Sequence, residues 1–146
     1  MKTRLQWDCA ALLGGAAVQL AAALLTEGWV LWTGCAPPPA LELPDSAAEW
    51  AWKILLLTVL VPLAEEGIFR GLMYKGLRRV LGVLWAGLAV TLLFAAAHRS
   101  VSGIPAYVLF GLCAWGIREK SGSLEPCVLF HGAYNACAIT AVVLLQ

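Results

Sequence analysis

Apolar residues run through positions 9–26, 80–97, 100–117 and 126–146 without a single Asp, Glu, Lys or Arg. Each run approaches the ~20 residues that a membrane-crossing helix needs. A fifth stretch, 46–79, is long enough to span, but its uncharged core extends only from Ile54 to Ala64, so charge must enter the bilayer with it. The pattern predicts an all-α polytopic bundle of about five membrane helices, over residues 8–33, 46–79, 80–97, 104–119 and 124–145. The prolines of "APPPA" at 36–40 lack amide donors and are expected to end the first helix. Asp45 or Ser46 can cap the second. Pro62 lies inside that second helix and leaves the carbonyl of Thr58 without its usual donor, so a kink is expected just before Glu65. Gly67 and Gly71 form a GxxxG, and Gly82 with Ala86 a looser one, both read as close helix packing within the chain or between two copies.

Composition agrees with a membrane protein. Of 146 residues 61% are hydrophobic and 13% charged, and the mean hydropathy of +0.80 excludes a soluble domain. The net charge of +1 gives no footprint for nucleic acid. Position matters more than total. Lys2 and Arg4, then Lys75, Arg78 and Arg79, then Arg118 and Lys120 alternate with the acidic stretch of Glu42, Asp45 and Glu49, and Arg99 alone dissents. The positive-inside rule then gives a cytoplasmic N-terminus, five spans and an external C-terminus. The first helix reads as an uncleaved signal anchor, since its apolar run is long and lacks a small-x-small cleavage site. Residues 1–40 thus form an anchor helix with a Pro-rich loop, and residues 45–146 a second unit. The Ala- and Leu-rich composition suggests a prokaryotic plasma membrane. Five cysteines without CxxC spacing read as small core residues.

Charges inside a span are costly and usually face a partner or a water-filled cavity. "LAEEGIFRGLMY" at 63–74 holds three. Glu66 and Arg70 stand at i, i+4 with the acid first, the favourable order for a helix ion pair. Glu65 is turned by about 100° from Glu66 and need not share that arginine. One carboxylate is fixed and its neighbour stays free to act. Two further polar pairs lie on apolar helices: Phe94 and His98 in "FAAAH", and His131 and Asn135 in "HGAYN". A lone membrane histidine is more often a hydrogen-bonded core residue. Two histidines, an asparagine and an unpaired glutamate together supply a base, a second proton carrier and neutral donors.

"EEGIFR", "FAAAH" and "HGAYN", in that order on membrane helices, resemble the EExxxR, FxxxH and HxxxN or HxxxD motifs of the CPBP family, the CAAX proteases and bacteriocin-processing enzymes. The likeness covers about residues 48–146 and leaves the first helix outside. It implies an intramembrane endopeptidase that cuts a membrane-associated peptide or protein. Glu65 with His98 would activate a water, His131 and Asn135 would donate hydrogen bonds to the oxyanion, and Glu66 and Arg70, supported by Phe94, would hold the helix and orient Glu65. No cofactor is needed for this. The alternative is a zinc held by Glu65, His98 and His131, which leaves a fourth position for water. Peptide maturation, bacteriocin export or self-immunity suit this chain better than a prenylated CAAX substrate. A catalytically silent binding or immunity module of the same fold is the main rival. A proton relay is the weaker one, because there is no repeat symmetry.

Overall fold

The computed structural model describes residues 3–39 and 41–145, so Lys2 and the last residue of "APPPA" lie outside the described residues. Among these every regular element is helical. Helix α1, Arg4–Thr33, starts earlier than the apolar pattern alone suggests, because Thr3 and Gln6 close a reciprocal capping box. It ends before the prolines. Gly34 adopts a left-handed φ of 67° and returns its N–H to Val30, so a glycine cap rather than "APPPA" terminates the helix. Ser46, not Asp45, caps the next helix by accepting from the N–H of Glu49 at 3.2 Å.

From there one helical stretch, Ala47–Ala97, covers both the second and third expected helices. A bend at Gly82 (φ 77°, ψ 177°) divides it into α2, residues 47–81, and α3, residues 83–97. Gly82 is therefore the reversal itself and not a packing residue, a conformation that L side chains resist. Its neighbour in the looser small-residue pair, Ala86, is fully buried. Because the reversal falls at Gly82, Glu66 and His98 lie equally far from it, roughly 24 Å along each arm at about 1.5 Å per residue. Phe69 on one arm meets Phe94 on the other, with ring centroids 5.2 Å apart.

Pro62 does distort α2, with a shift of register. The turn before it widens over Leu56–Leu60, where the N–H of Val61 returns to Leu56 O, five residues back. In such a π-helical turn the carbonyl that loses its donor to Pro62 belongs to Leu57, five residues earlier, and not to Thr58. A second widened turn covers Gly67–Met73.

Helix α4 is Ile104–Ser121, closed by Gly122 in the left-handed region, and α5 is Glu125–Leu145. Helix α5 runs antiparallel to α2: a Cβ on Gly71 would touch Leu124, His131 meets Glu66, and Asn135 meets Leu57. The turn between α4 and α5 is thus set well above the Gly82 reversal, at the level of Gly71. This brings His131 level with the glutamates although it lies close to its own turn. Gly71 supplies one half of the expected GxxxG packing, whereas a Cβ on Gly67 would meet nothing within 4 Å.

Helix α1 lies along α5 and α4. Ala11, Gly15 and Ala22 form its buried face, and a Cβ on Gly15 would overlap the carbonyl of Phe130. The core is aromatic, with Phe94, Phe110 and Phe130 packed around Ala11 and Ala114. Cys127 is buried there, whereas Cys9 is exposed, so core filling describes only part of the cysteine set, all of which are free thiols. Large apolar side chains such as Leu13, Leu31, Leu72 and Leu144 point outward. That inversion suits a lipid-facing surface. Arg4–Thr33, Ala47–Ala97 and Glu125–Leu145 are long and apolar enough to cross a membrane. Helix α4 falls outside that group, because its last turns carry Arg118, Glu119 and Lys120.

Candidate active site

The ion pair predicted by i, i+4 spacing is present in the core. Arg70 Nη1 donates to Glu66 Oε1 at 3.0 Å, with side-chain exposures of 1% and 0%. Two such charges survive burial only with matched partners. The guanidinium also lies 4.5 Å from the centroid of Phe94 and 5.5 Å from that of Phe110, which adds cation–π attraction. Its Nη2 donates to Gly111 O at 3.5 Å.

Glu66 has a second client. His131 Nδ1 lies 3.0 Å from the same Oε1. A carboxylate only accepts, so Nδ1 carries a proton, and the state of His131 is decided at Nε2. That Nε2 faces Glu65, at 3.8 Å from Oε2. Glu65 is partly accessible, yet its Oε2 is shielded and has no hydrogen-bond partner among the described residues. The two glutamates thus differ: Glu66 is fixed by Arg70 and His131, each at 3.0 Å, and Glu65 approaches His131 at the longer 3.8 Å. What Glu66 orients directly is His131.

His98 lies at the end of α3. Its Nδ1 is 2.8 Å from Phe94 O, one turn back, so Nδ1 donates there and Nε2 of the neutral ring is left as an acceptor. The ring is packed between Phe94, at 4.5 Å, and Tyr107, stacked at 4.1 Å. Phe94 also meets His131 edge-on at 6.1 Å and so separates and orients both imidazoles. Tyr107 lies within electrostatic reach of Glu65. The motifs alone do not single it out; the available signal is a phenol in an otherwise apolar run, a group that seeks a polar neighbour when buried.

Asn135 makes its hydrogen bond outside this cluster. Its Nδ2 donates to Leu57 O at 2.8 Å, the carbonyl that Pro62 deprives of a donor. Gly132 works beside it. A Cβ there would come within 2.5 Å of Thr58 O, so only glycine allows α5 to close on the widened turn. Hence "HGAYN" carries a site residue, a close-approach residue and a donor for the kink, and the middle role is not legible from the motif.

Glu65, Glu66, Arg70 and His131 therefore form one connected group, with Phe94 and His98 beside it. No group of three His, Cys, Asp or Glu among the described residues is disposed to hold a metal ion. Glu65 and His131 approach each other, but the His98 ring is turned to Phe94 O and Tyr107. The zinc ligand set of Glu65, His98 and His131 is not assembled in this arrangement.

The fold and the site define an all-helical membrane bundle with a buried carboxylate–histidine centre. The family model for type II CAAX prenyl endopeptidase Rce1-like proteins matches residues 47–137, and the chain belongs to that family. The family's activity is intramembrane peptide-bond hydrolysis of the CAAX protease type. An uncharacterized 24.3 kDa protein of Escherichia coli is 37% identical over 83 residues, which is 53% of this chain and 38% of that protein. The chain thus matches less than two-fifths of that relative's length. No solved structure matches the chain. Helix α1 lies outside the matched region, although it packs on α4 and α5.

Proposed function

We propose that the chain hydrolyses a peptide bond of a membrane-associated peptide or protein, with Glu65 as general base toward a water. The observation that carries this reading is the uncommitted Oε2 of Glu65, shielded from solvent and 3.8 Å from a histidine whose far nitrogen is held by Glu66. A shielded carboxylate oxygen without a hydrogen bond among the described residues is costly as pure structure. It is useful as a proton acceptor.

In the proposed reaction, water attacks the scissile carbonyl carbon as Glu65 takes one of its protons. His98 Nε2 accepts a hydrogen bond from the water's other O–H and aims the water. The carbonyl oxygen becomes an oxyanion and receives a hydrogen bond from Nε2–H of protonated His131, a charge that Glu66 supports from the other side of the ring. Asn135 has one remaining amide hydrogen for the same oxygen. Glu65 then passes its proton to the leaving nitrogen, the C–N bond breaks, and carboxylate and amine products separate. Donors fixed in advance contribute most where charge develops. Arg70 and Phe94 position this machinery without touching the substrate.

The test uses detergent-purified full chain and a library of membrane-associated reporter peptides. Wild type is expected to cut, His98→Ala and His131→Ala to cut about a hundredfold or more slowly, and a chelator to leave the rate unchanged. Cleavage that survives both histidine substitutions would sink the assignment. Loss with chelator would replace the mechanism with a metal-dependent one.

A further inference from the structure

The site leaves one strongly charged feature unused, at the other end of α2. Lys75, Arg79 and Arg118 line a cavity of about 530 Å3 between that arm and the α4–α5 turn, with Gly76 among its walls. No carboxylate lines it. Glu119 is already engaged by Arg78 at 2.9 Å and by Tyr74 at 2.6 Å, and Glu125 by Arg4. Lys75 and Arg79 have no ion-pair partner among the described residues. They stand one helical turn apart, where like charges repel. Arg118 spends its Nε on Arg70 O at 3.3 Å, which fixes the guanidinium at the cavity's edge. Three cations around one volume call for an anion.

Its surroundings say which kind. On the same stripe of α2, one and two turns from Gly76, Leu72 is 74% and Ile68 50% exposed. In a span, such side chains face hydrocarbon. We propose that this cavity binds the phosphate headgroup of an anionic phospholipid, with Lys75, Arg79 and Arg118 as ligands and the acyl chains lying along Leu72 and Ile68. Basic pockets between membrane helices suit such headgroups electrostatically. A soluble phosphate would use the same cations and leave the apolar stripe unused.

Gly76 provides a second handle. A Cβ there meets nothing within 4 Å, so a larger side chain fills the cavity without disturbing the packing of the chain. The experiment is native mass spectrometry of the detergent-purified full chain, titrated with phosphatidylglycerol or phosphatidylcholine. Phosphatidylglycerol is expected to bind about tenfold or more tightly than phosphatidylcholine. The pair Lys75→Gln and Arg79→Gln should remove that preference. Gly76→Leu should abolish the adduct while helicity and unfolding temperature hold. Gly28→Leu, at a glycine of α1 with equally open surroundings, should change nothing. Equal binding of the two lipids, or undiminished phosphatidylglycerol binding in both test variants, would overturn the proposal. So would displacement of the lipid by millimolar inorganic phosphate, which would make this a site for a soluble anion.

Discussion

Glu66 is the residue on which the buried charges depend. One of its oxygens accepts from both Arg70 and His131 at 3.0 Å, so removing it strands a guanidinium and frees an imidazole together. Breaking a buried pair from one side typically costs about 3–5 kcal/mol, whereas replacing both members with apolar groups is often close to neutral. Glu66→Ala is therefore expected to lower unfolding stability by about that amount. Glu66→Leu with Arg70→Met should recover much of it, without recovering cleavage. Chemical unfolding followed by circular dichroism reads the first effect and a peptide assay the second. If the double variant stays as unstable as the single one, Glu66 acts mainly through His131. Glu65 should behave oppositely, with little effect on stability from Gln, because its Oε2 makes no hydrogen bond among the described residues and its contact with His131 Nε2 is long, at 3.8 Å.

At the scale of elements, Pro62, Leu57 and Asn135 form one unit. Asn135→Ala should cost about 1–3 kcal/mol by orphaning Leu57 O. In a Pro62→Ala background a backbone N–H is restored, and the same substitution should cost distinctly less. Cleavage separates the two roles proposed for Asn135: a loss that persists in the Pro62→Ala background belongs to its remaining amide hydrogen, and a loss that disappears there belongs to the kink. Gly15 and Gly67 make a second comparison. Gly15→Ala should loosen α1 from α5, since a Cβ meets Phe130 O, while Gly67→Ala should be neutral or slightly stabilising, as its surroundings are open. The charge-free runs locate the helices, because lipid demands continuous apolar segments. They put the boundary of the second and third helices at 79/80, within three residues of the Gly82 reversal, but do not single out Gly82, since "VLGVLW" reads as apolar helix and the break lies in one residue's φ. Nor do they fix the register around Pro62, because α-helical and π-helical turns share the same apolar sequence. Glu66–Arg70 is legible because both partners lie on one helix. His131–Glu66 is not, because it depends on the α4–α5 turn resting against Gly71.

For the whole molecule, the hairpin of α2 and α3 and the antiparallel α5 place the charged residues of one arm beside the histidines of two others, inside an aromatic core. The contacts Arg4–Glu125 and Arg78–Glu119, with Arg118 beside Lys75 and Arg79 in one cavity, gather these basic residues at a single end. This is the charge asymmetry that the sequence pattern implies, and by the positive-inside rule we propose that this end is the cytoplasmic one. The Glu65 centre lies farther along α2, within the apolar body. Such a layout suits a reaction that admits one water to a peptide bond otherwise kept in lipid. The decisive measurement is the cleavage rate of a single membrane-associated peptide by reconstituted wild type and Glu65→Gln, with unfolding temperatures measured on the same preparations. Glu65 as general base requires matched stability and a rate lower by about 10²- to 10⁴-fold for the variant, the usual contribution of a positioned general base. Equal rates at equal stability would remove Glu65 from that role.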